Sequence, residues 1–350
     1  MLGSCTPEVD EFGDQAEDEN VNNVENDNVE EVIKTYSADL AKFHFVVDWL
    51  SETKIVFVEK SDSMYYLKTF DISSGEIEIL YEESKIIVDV LIHPLKNTYL
   101  LHTTDDPSSA TLKIISFEGV VLDEVTIASS ELSIEWSDTD PSLILLTAFH
   151  QDWTYDVFLY SGEEKEISLM PLEDPFPKWL GTEKIVTVDV LEHSLDGGEL
   201  IFYDRVTRQQ KRSGIMNVVY FDANIDSLLV VQINGEDAEY KITDQEGMVL
   251  SDWTMPAVSN YSEWVIPEIS WIAPTTVIMP STSEGGQLDD LREPFKLVRV
   301  EDGNQEVLME YIPTGKLRCS PDGEKCLTGN AAETIIDTIK KEEATWLLLH

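Results

Sequence analysis

Residues 49–75 read WLSETKIVFVEKSDSMYYLKTFDISSG, and this stretch decides the fold. The tryptophan ends one apolar run, two strand-length runs follow at 54–58 and 66–70, and Gly75 turns into a fourth run at 76–80. The runs alternate in polarity or are rich in β-branched and aromatic residues, a pattern typical of β-strands. The stretch therefore predicts a small sheet of four strands.

The same layout recurs along the chain. An anchor residue at the end of the first run and a glycine before the fourth run lie 26 residues apart in four places. These pairs are Trp49 and Gly75, His93 and Gly119, Trp136 and Gly162, and Phe221 and Gly247. Further copies start at Trp179, Trp271 and Cys319, so that successive anchors are 42 to 50 residues apart. A repeat of this length with four strands is the sequence signature of a β-propeller.

Radial packing gives this repeat a physical reason. One four-stranded sheet cannot bury both of its faces, whereas sheets packed around an axis cover each other and closure protects the ends. The number of anchors favours seven blades. Six blades is the alternative, if the first or last unit only completes a shared blade with residues 29–36 as its closing outer strand. We therefore predict an all-β fold with one propeller domain over residues 32–350.

The charge excludes several functions. The 350 residues carry 24 Lys and Arg against 68 Asp and Glu, a net charge of −44. So negative a surface repels nucleic-acid phosphates and anionic lipid headgroups. Residues 8–31 hold 11 of the acids, no Lys or Arg, and few large apolar side chains. We therefore predict that residues 1–31 form a lipobox-like start and a disordered acidic tether.

The amino-terminal segment indicates how the domain is anchored. Leu2-Gly3-Ser4-Cys5 resembles the lipobox of bacterial lipoproteins, in which the cysteine becomes the lipidated first residue. The charged and apolar regions of a signal peptide do not precede it, because the chain starts at Met1. Cys5 is thus either lipidated after removal of an upstream signal or an ordinary thiol. If it is lipidated, the domain is held on the outer face of the cytoplasmic membrane through that lipid alone.

A family resemblance combines these features. The lipobox-like cysteine, the acidic tether and the divergent blades that continue to the carboxyl end resemble the bacillus-type, YqgU-like propeller lipoproteins over nearly the whole chain. The turn Ser320-Pro321-Asp322-Gly323 also resembles that of TolB-type propeller repeats, although it occurs once. The YqgU-like resemblance implies a cell-surface protein of unknown role.

The two remaining cysteines, Cys319 and Cys326, flank a turn. With a two-residue loop at Asp322-Gly323 they lie directly opposite each other, at a distance that a disulfide tolerates. With a type I turn and a bulge, Cys319 faces Lys325 instead, and both thiols stay free. The sequence leaves both arrangements open, because the strand register decides between them.

The sequence lacks the common catalytic motifs. The chain contains no Gly-x-Ser-x-Gly, no His-Glu-x-x-His, no Cys-x-x-Cys and no phosphate loop. His93 and His102 are predicted to fall on neighbouring strands of one blade, and we expect structural roles for them because companion metal ligands are missing. The acidic pairs at 105–106, 138–140 and 289–290 are predicted to be solvated turns rather than calcium sites. We therefore predict no catalytic, metal or cofactor residues.

Two features bear on partner binding. Trp153, Tyr155, Tyr261 and Trp264 could be exposed binding residues, but most propeller aromatics pack between sheets, so we expect these to belong to the core. The loop 281–293 interrupts the even period and is the best candidate for a recognition insertion.

These observations favour a surface-tethered, monomeric propeller without enzymatic activity that binds a protein, a wall polymer or a small ligand. One alternative is a glycan or lactone lyase or hydrolase with its active site in the channel, which titratable groups converging there around a metal would support. The other alternative is a cytosolic scaffold, which the absence of any export signal upstream of Met1 would support.

Overall fold

Seven four-stranded antiparallel sheets follow one another along the described residues of the computed structural model. The structure describes residues 32–95, 97–189, 194–313 and 315–350. In each sheet the four strands lie side by side in chain order, so that every sheet is one blade made from a continuous segment. The all-β propeller prediction is confirmed.

The strands of the seven blades are two to nine residues long. Blade 1 comprises Phe43–Trp49, Lys54–Ser61, Met64–Asp71 and Ile77–Glu83, and blade 2 comprises Ile86–Ile92, Thr98–Asp106, Ser109–Ser116 and Val121–Ala128. Blade 3 comprises Glu131–Trp136, Leu143–Phe149, Tyr155–Ser161 and Glu166–Leu169, and blade 4 comprises Lys178–Leu180, Lys184–Val188, Leu200–Asp204 and Gln209–Arg212. Blade 5 comprises Val218–Asn224, Ser227–Asn234, Asp237–Thr243 and Val249–Pro256. Blade 6 comprises Ser270–Ala273, Thr276–Ser281, Lys296–Glu301 and Asn304–Met309, and blade 7 comprises Arg318–Cys319, Lys325–Thr328, Thr334–Asp337 and Glu342–Thr345.

Short elements lie in the connections between strands and between blades. Among the described residues, 3-10 turns span Ser194–Asp196 within blade 4 and Leu288–Asp290 within blade 6. A small three-stranded sheet pairs Val258–Asn260 and Glu263–Trp264, which lie between blades 5 and 6, with Gly286–Gln287 of blade 6.

The chain ends meet in a separate two-stranded sheet. The strand Tyr36–Ala38 pairs in parallel with Leu347–Leu349 and is not the fourth strand of any blade. The six-blade alternative predicted a closing outer strand at residues 29–36. This prediction is wrong for residues 32–36, and residues 29–31 lie outside the described residues.

The recurring glycine of the repeat lies in the turn between the third and fourth strands of a blade. Gly75, Gly119 and Gly247 have φ angles of +81°, +80° and +88°, the left-handed region that other residues rarely adopt. A Cβ on Gly119 would also lie 2.9 Å from the carbonyl oxygen of Leu80. In blade 3 this conformation is found at Lys165, with φ of +55°, rather than at the glycine.

Seven hydrophobic clusters join the blades into a ring. Each cluster combines buried side chains of two neighbouring blades, and together they connect blade 1 to 2, 2 to 3, and onward through 6 to 7. The remaining cluster closes the ring, because Phe57 and Phe70 of blade 1 pack on Trp346, which follows the last strand of blade 7. The ring centroids of these two residues lie 6.4 and 5.7 Å from that of Trp346. The described residues thus form a closed ring of seven blades, the number that the anchors favoured.

The first strands of neighbouring blades approach each other, so they line the ring axis. The repeat anchors lie on these inner strands or directly after them. Antiparallel pairing puts the connections between second and third strands, and the connections from one blade to the next, at the same end of the ring. We call this the hairpin end, and the other end the opposite end.

Candidate functional site

The predicted lipidation residue Cys5 lies outside the described residues. Cys319 and Cys326 face each other across the first two strands of blade 7, and their sulfur atoms are joined. The turn differs from both predicted forms. Gly323 N–H donates to the Ser320 carbonyl and has φ of +70°, as in the bulged form, but Ser320 N–H donates to the Lys325 carbonyl. The loop is therefore four residues long, 321–324, and this even length keeps the cysteines in register.

A charged cluster on the inner strands links three blades at the ring axis. Lys178 of blade 4 places its Nζ 3.0 Å from Oε2 of Glu135 in blade 3 and 3.3 Å from Oδ1 of Asp222 in blade 5. Blade 6 joins the cluster, since Trp271 Nε1 donates to Oδ2 of Asp222 at 2.9 Å. Asp138 lies after the inner strand of blade 3 and accepts the backbone N–H of Ile225. Lys178 thus pairs with two carboxylates, and a third carboxyl group, that of Asp138, lies nearby.

Burial and this charge imbalance set the protonation of the cluster. Desolvation raises the pKa of Glu135 to about 7, with Lys178 opposing the rise and Asp222 adding to it. Desolvation also raises the pKa of Asp138, against the hydrogen bond from Ile225. For Lys178, desolvation alone would lower the pKa, but the carboxylates of Glu135 and Asp222 outweigh it and hold the pKa above its ordinary value. Around neutral pH the Glu135 carboxyl group is therefore partly protonated.

Sequence reasoning missed this cluster although a local signal was available. In four blades a charged residue directly precedes the anchor: Asp48, Glu135, Lys178 and Arg318. Successive side chains of a strand point to opposite faces of the sheet. When an anchor packs between blades, the residue before it therefore points away from that contact. Titratable groups do converge at the axis, as the enzyme alternative required. Within the described ranges, however, no group of three or more His, Cys, Asp or Glu side chains is arranged to hold a metal ion.

The two histidines singled out by sequence have different surroundings. His93 is fully buried, its Nε2 lies 2.9 Å from the carbonyl oxygen of Ser137, its Nδ1 accepts the N–H of Leu95, and its ring lies edge-on to Trp136. His93 therefore has a satisfied structural role. His102 is 7% exposed, and no hydrogen bond joins its ring to any other described residue.

The acidic pairs are engaged in local contacts. Asp140 accepts the N–H and hydroxyl of Ser142, and Asp106 accepts the same two groups of Ser108. Asp105 pairs with Lys85 at 3.5 Å. Residues 289 and 290 lie in the 3-10 turn of the loop 281–293, which also contributes the strand Gly286–Gln287 to the small three-stranded sheet. A cavity of about 530 Å³ lies beside this sheet.

The prediction that the four singled-out aromatics pack in the core is wrong for two of them. Trp153 is 82% exposed and Tyr261 is 71% exposed, and both have positive φ angles in tight turns. Tyr155 and Trp264 are half-buried and donate hydrogen bonds to the carbonyl oxygens of Glu173 and Leu195. The repeat alone did not distinguish the two exposed rings from the two half-buried rings.

The exposed aromatic side chains share one location. Four described aromatic residues are exposed, and all lie at the hairpin end: Trp153, Phe176, Tyr261 and Tyr311. Trp153 is in the hairpin of blade 3, and the others are in connections between blades. The exposed large residues of the opposite end are aliphatic, among them Met248 and Ile339. Among the residues that the structure describes, no helix has the length and apolar character to span a membrane.

Comparison with known proteins gives both sequence and structural relatives. YqgU, an uncharacterized lipoprotein of Bacillus subtilis strain 168, is 23% identical over 308 residues, which cover 86% of this chain and 83% of that protein. The crystal structure of the uncharacterized protein lmo1340 of Listeria monocytogenes EGD-e matches with a TM-score of 0.84 at 16% identity, covering 91% of this chain and 98% of that one. A prolyl endopeptidase structure matches with a TM-score of 0.55 at 10% identity, over 88% of this chain and 50% of that one, and shows the propeller fold alone.

A family model described as the YqgU-like 6-bladed beta propeller domain matches residues 71–329. The matched range contains blades 2 to 6 whole but only parts of blades 1 and 7. The described residues form seven four-stranded sheets, one more than the family description counts. The match covers well over half of the sequence, so this chain belongs to the family of YqgU-like β-propeller domains.

Proposed function

We propose that this chain is a surface-tethered lipoprotein whose propeller binds an external partner through its hairpin end. The observation that carries the proposal is the exposure of four aromatic side chains at that end and of none at the other among the described residues. Exposed aromatic rings lower their free energy when a partner covers them, and they are enriched in binding interfaces. The partner is a protein or a wall polymer, either of which can stack on such rings.

Two experiments test the proposal. Replacing Cys5 by Ser in the naturally encoded protein, with its full upstream sequence, should remove metabolic labelling by a fatty acid and release the protein from the membrane fraction. Continued labelling and membrane retention would refute the lipoprotein assignment.

Partner binding is tested on intact cells with a photo-reactive amino acid at position 153, and at Met248 of the opposite end as the matched control. Met248 is 62% exposed, so both probes are accessible. We expect a defined cross-linked product from position 153 only, which Tyr261→Ser weakens. Protease or muramidase digestion then identifies the partner as protein or wall polymer. Equal products from both positions, or none from position 153, would refute binding at the hairpin end.

One structural feature supports the enzyme alternative. The Glu135 carboxyl group lies at the ring axis and has a pKa of about 7. A group with such a pKa can exchange protons near neutral pH. Turnover of a glycan or lactone by the wild type that is lost in Glu135→Gln, with partner binding unchanged, would favour that alternative.

A further inference from the structure

A polar cavity opens at the hairpin end between blades 2 and 3. It has a volume of about 360 Å³ and is bounded by the β-hairpin of blade 2 at residues 106–109 and by the connection into blade 3 at residues 129–132. Backbone hydrogen bonds on both sides fix this connection, because Ser129 N–H donates to the carbonyl of Ser108 and Ser130 N–H to that of Phe149. The cavity is therefore framed by well-bonded segments of two blades.

His102 lines this cavity without a hydrogen-bond partner among the described residues. Only 7% of the residue is exposed, yet its imidazole carries two ring nitrogens that need partners. Neither ring nitrogen is fully buried, so a ligand in the cavity can reach them. Burial lowers the pKa of His102, with Asp89 opposing, so the ring is neutral near pH 7 and one nitrogen is free to accept a hydrogen bond.

Three carboxyl groups line the cavity. Asp89 lies directly across from His102 on the neighbouring strand, and Asp106 and Glu131 come from the two framing segments. Asp89 and Asp106 use Oδ1 for local contacts with Val90 and Ser108, which leaves each Oδ2 available. The described residues that line the cavity include no Lys or Arg.

We infer that this cavity is a binding site for a small organic cation that carries a primary ammonium group. The ammonium group would donate hydrogen bonds to the neutral His102 ring and to the carboxylate of Asp89, with Glu131 and Asp106 supplying further negative charge at the entrance. An ammonium group has three donors and no acceptor, which matches a set of acceptors without a competing cation. The site is separate from the exposed aromatic residues, so its test does not depend on the partner proposed above.

Calorimetric titration of the purified protein with amines and their neutral counterparts tests the inference. Putrescine is compared with 1,4-butanediol, and glucosamine with glucose, in 50 mM and in 500 mM NaCl. We expect an amine to bind at least tenfold more tightly than its neutral counterpart, and added salt to weaken binding. Equal binding of both members of each pair, or no binding of either amine, would overturn the inference.

Substitutions locate the site. Asp89→Asn and Glu131→Gln should each weaken amine binding about threefold to tenfold. The matched control is Asp105→Asn, because Asp105 is a neighbouring exposed carboxylate that pairs with Lys85 and does not line the cavity. A control that loses as much affinity as the two site variants would contradict the assignment.

His102→Phe gives the sharpest result. Phenylalanine keeps a planar ring but removes both nitrogens, so binding should fall at least tenfold while thermal stability stays equal or rises. The matched control His150→Phe should leave binding unchanged, since His150 pairs with Asp156 outside the cavity. A fall in both binding and stability would mean that His102 is structural. Binding of Zn²⁺ or Ca²⁺ that the same substitutions abolish, without amine binding, would replace the ammonium ligand by a metal and overturn the inference.

Discussion

Replacing Lys178 by methionine tests whether the inner-strand cluster stabilises the ring. Methionine keeps most of the side-chain volume but removes the only ammonium group within 3.3 Å of Glu135 and Asp222 in the described structure. The side chains of Lys178, Glu135 and Asp222 are 31%, 24% and 17% exposed, so water screens the remaining carboxylates only in part. Removing one partner of a fully buried pair costs about 3 to 5 kcal/mol. For this half-buried cluster we expect a loss of about 2 to 3 kcal/mol at pH 8.

The loss should depend on pH in a defined direction. The pKa of Glu135 is raised from 4.5 to about 7 in the folded state, so folding favours its protonated form. Stability from this group is complete below pH 4.5 and is lost as the pH rises through 7. Without Lys178 the carboxyl group holds its proton more firmly still. The Lys178→Met variant should therefore lose less stability at pH 5 than at pH 8, by about 1 kcal/mol or more.

The assay is urea unfolding followed by tryptophan fluorescence at pH 5 and pH 8. Lys54→Met is the matched control, since Lys54 pairs with Glu78 at 3.2 Å on the surface and should cost less than about 1 kcal/mol. Equal losses of Lys178→Met at both pH values, or a loss no larger than that of Lys54→Met, would refute the stabilising role of the cluster.

Three further predictions concern stability. In the wild type the free energy of unfolding should decrease between pH 5 and pH 7, and Glu135→Gln should make this decrease smaller. If urea unfolding shows the same decrease in the variant, another group is responsible for it. Trp346→Ala should lower the free energy of unfolding by about 3 to 5 kcal/mol, because the fully buried ring closes the contact between blades 1 and 7. The control Trp153→Ala should change it by less than about 0.5 kcal/mol, since that ring is exposed. Similar melting temperatures for the two variants would contradict this closure. Reduction of the disulfide, or replacement of Cys319 and Cys326 by Ala, should lower the free energy of unfolding by about 2.5 kcal/mol, as expected for so short a loop. Identical melting temperatures with and without reductant would show that the bond is absent in solution.

The fold was predictable from the sequence because each blade must bury the faces of its sheet, so the same pattern of apolar residues recurs in every blade. The anchors of the repeat mark inner strands, and the second strands are continuous apolar runs, as in Leu143–Phe149, since neighbouring blades cover both of their faces. Closure was less predictable. A three-residue parallel pairing between Tyr36–Ala38 and Leu347–Leu349 leaves no periodic signal in the sequence.

The sites depend on contacts that no single segment contains. The cavity at His102 is completed by the connection at 129–132, which belongs to the next blade. The cysteine register rests on a loop length that neither predicted turn had, fixed in part by the Ser320 hydroxyl, which accepts the N–H of Lys325. Trp153 is exposed in a tight turn with a φ of +66°, which the repeat does not indicate. The charged residues before the anchors, in contrast, could have been found from strand alternation alone.

A crystal structure of residues 32–350 would determine the number and arrangement of the blades. We expect seven four-stranded sheets around one axis, with Trp346 packed on Phe57 and Phe70 between the last and first blades. Six sheets, with residues 43–83 contributing strands to a shared blade, would contradict it.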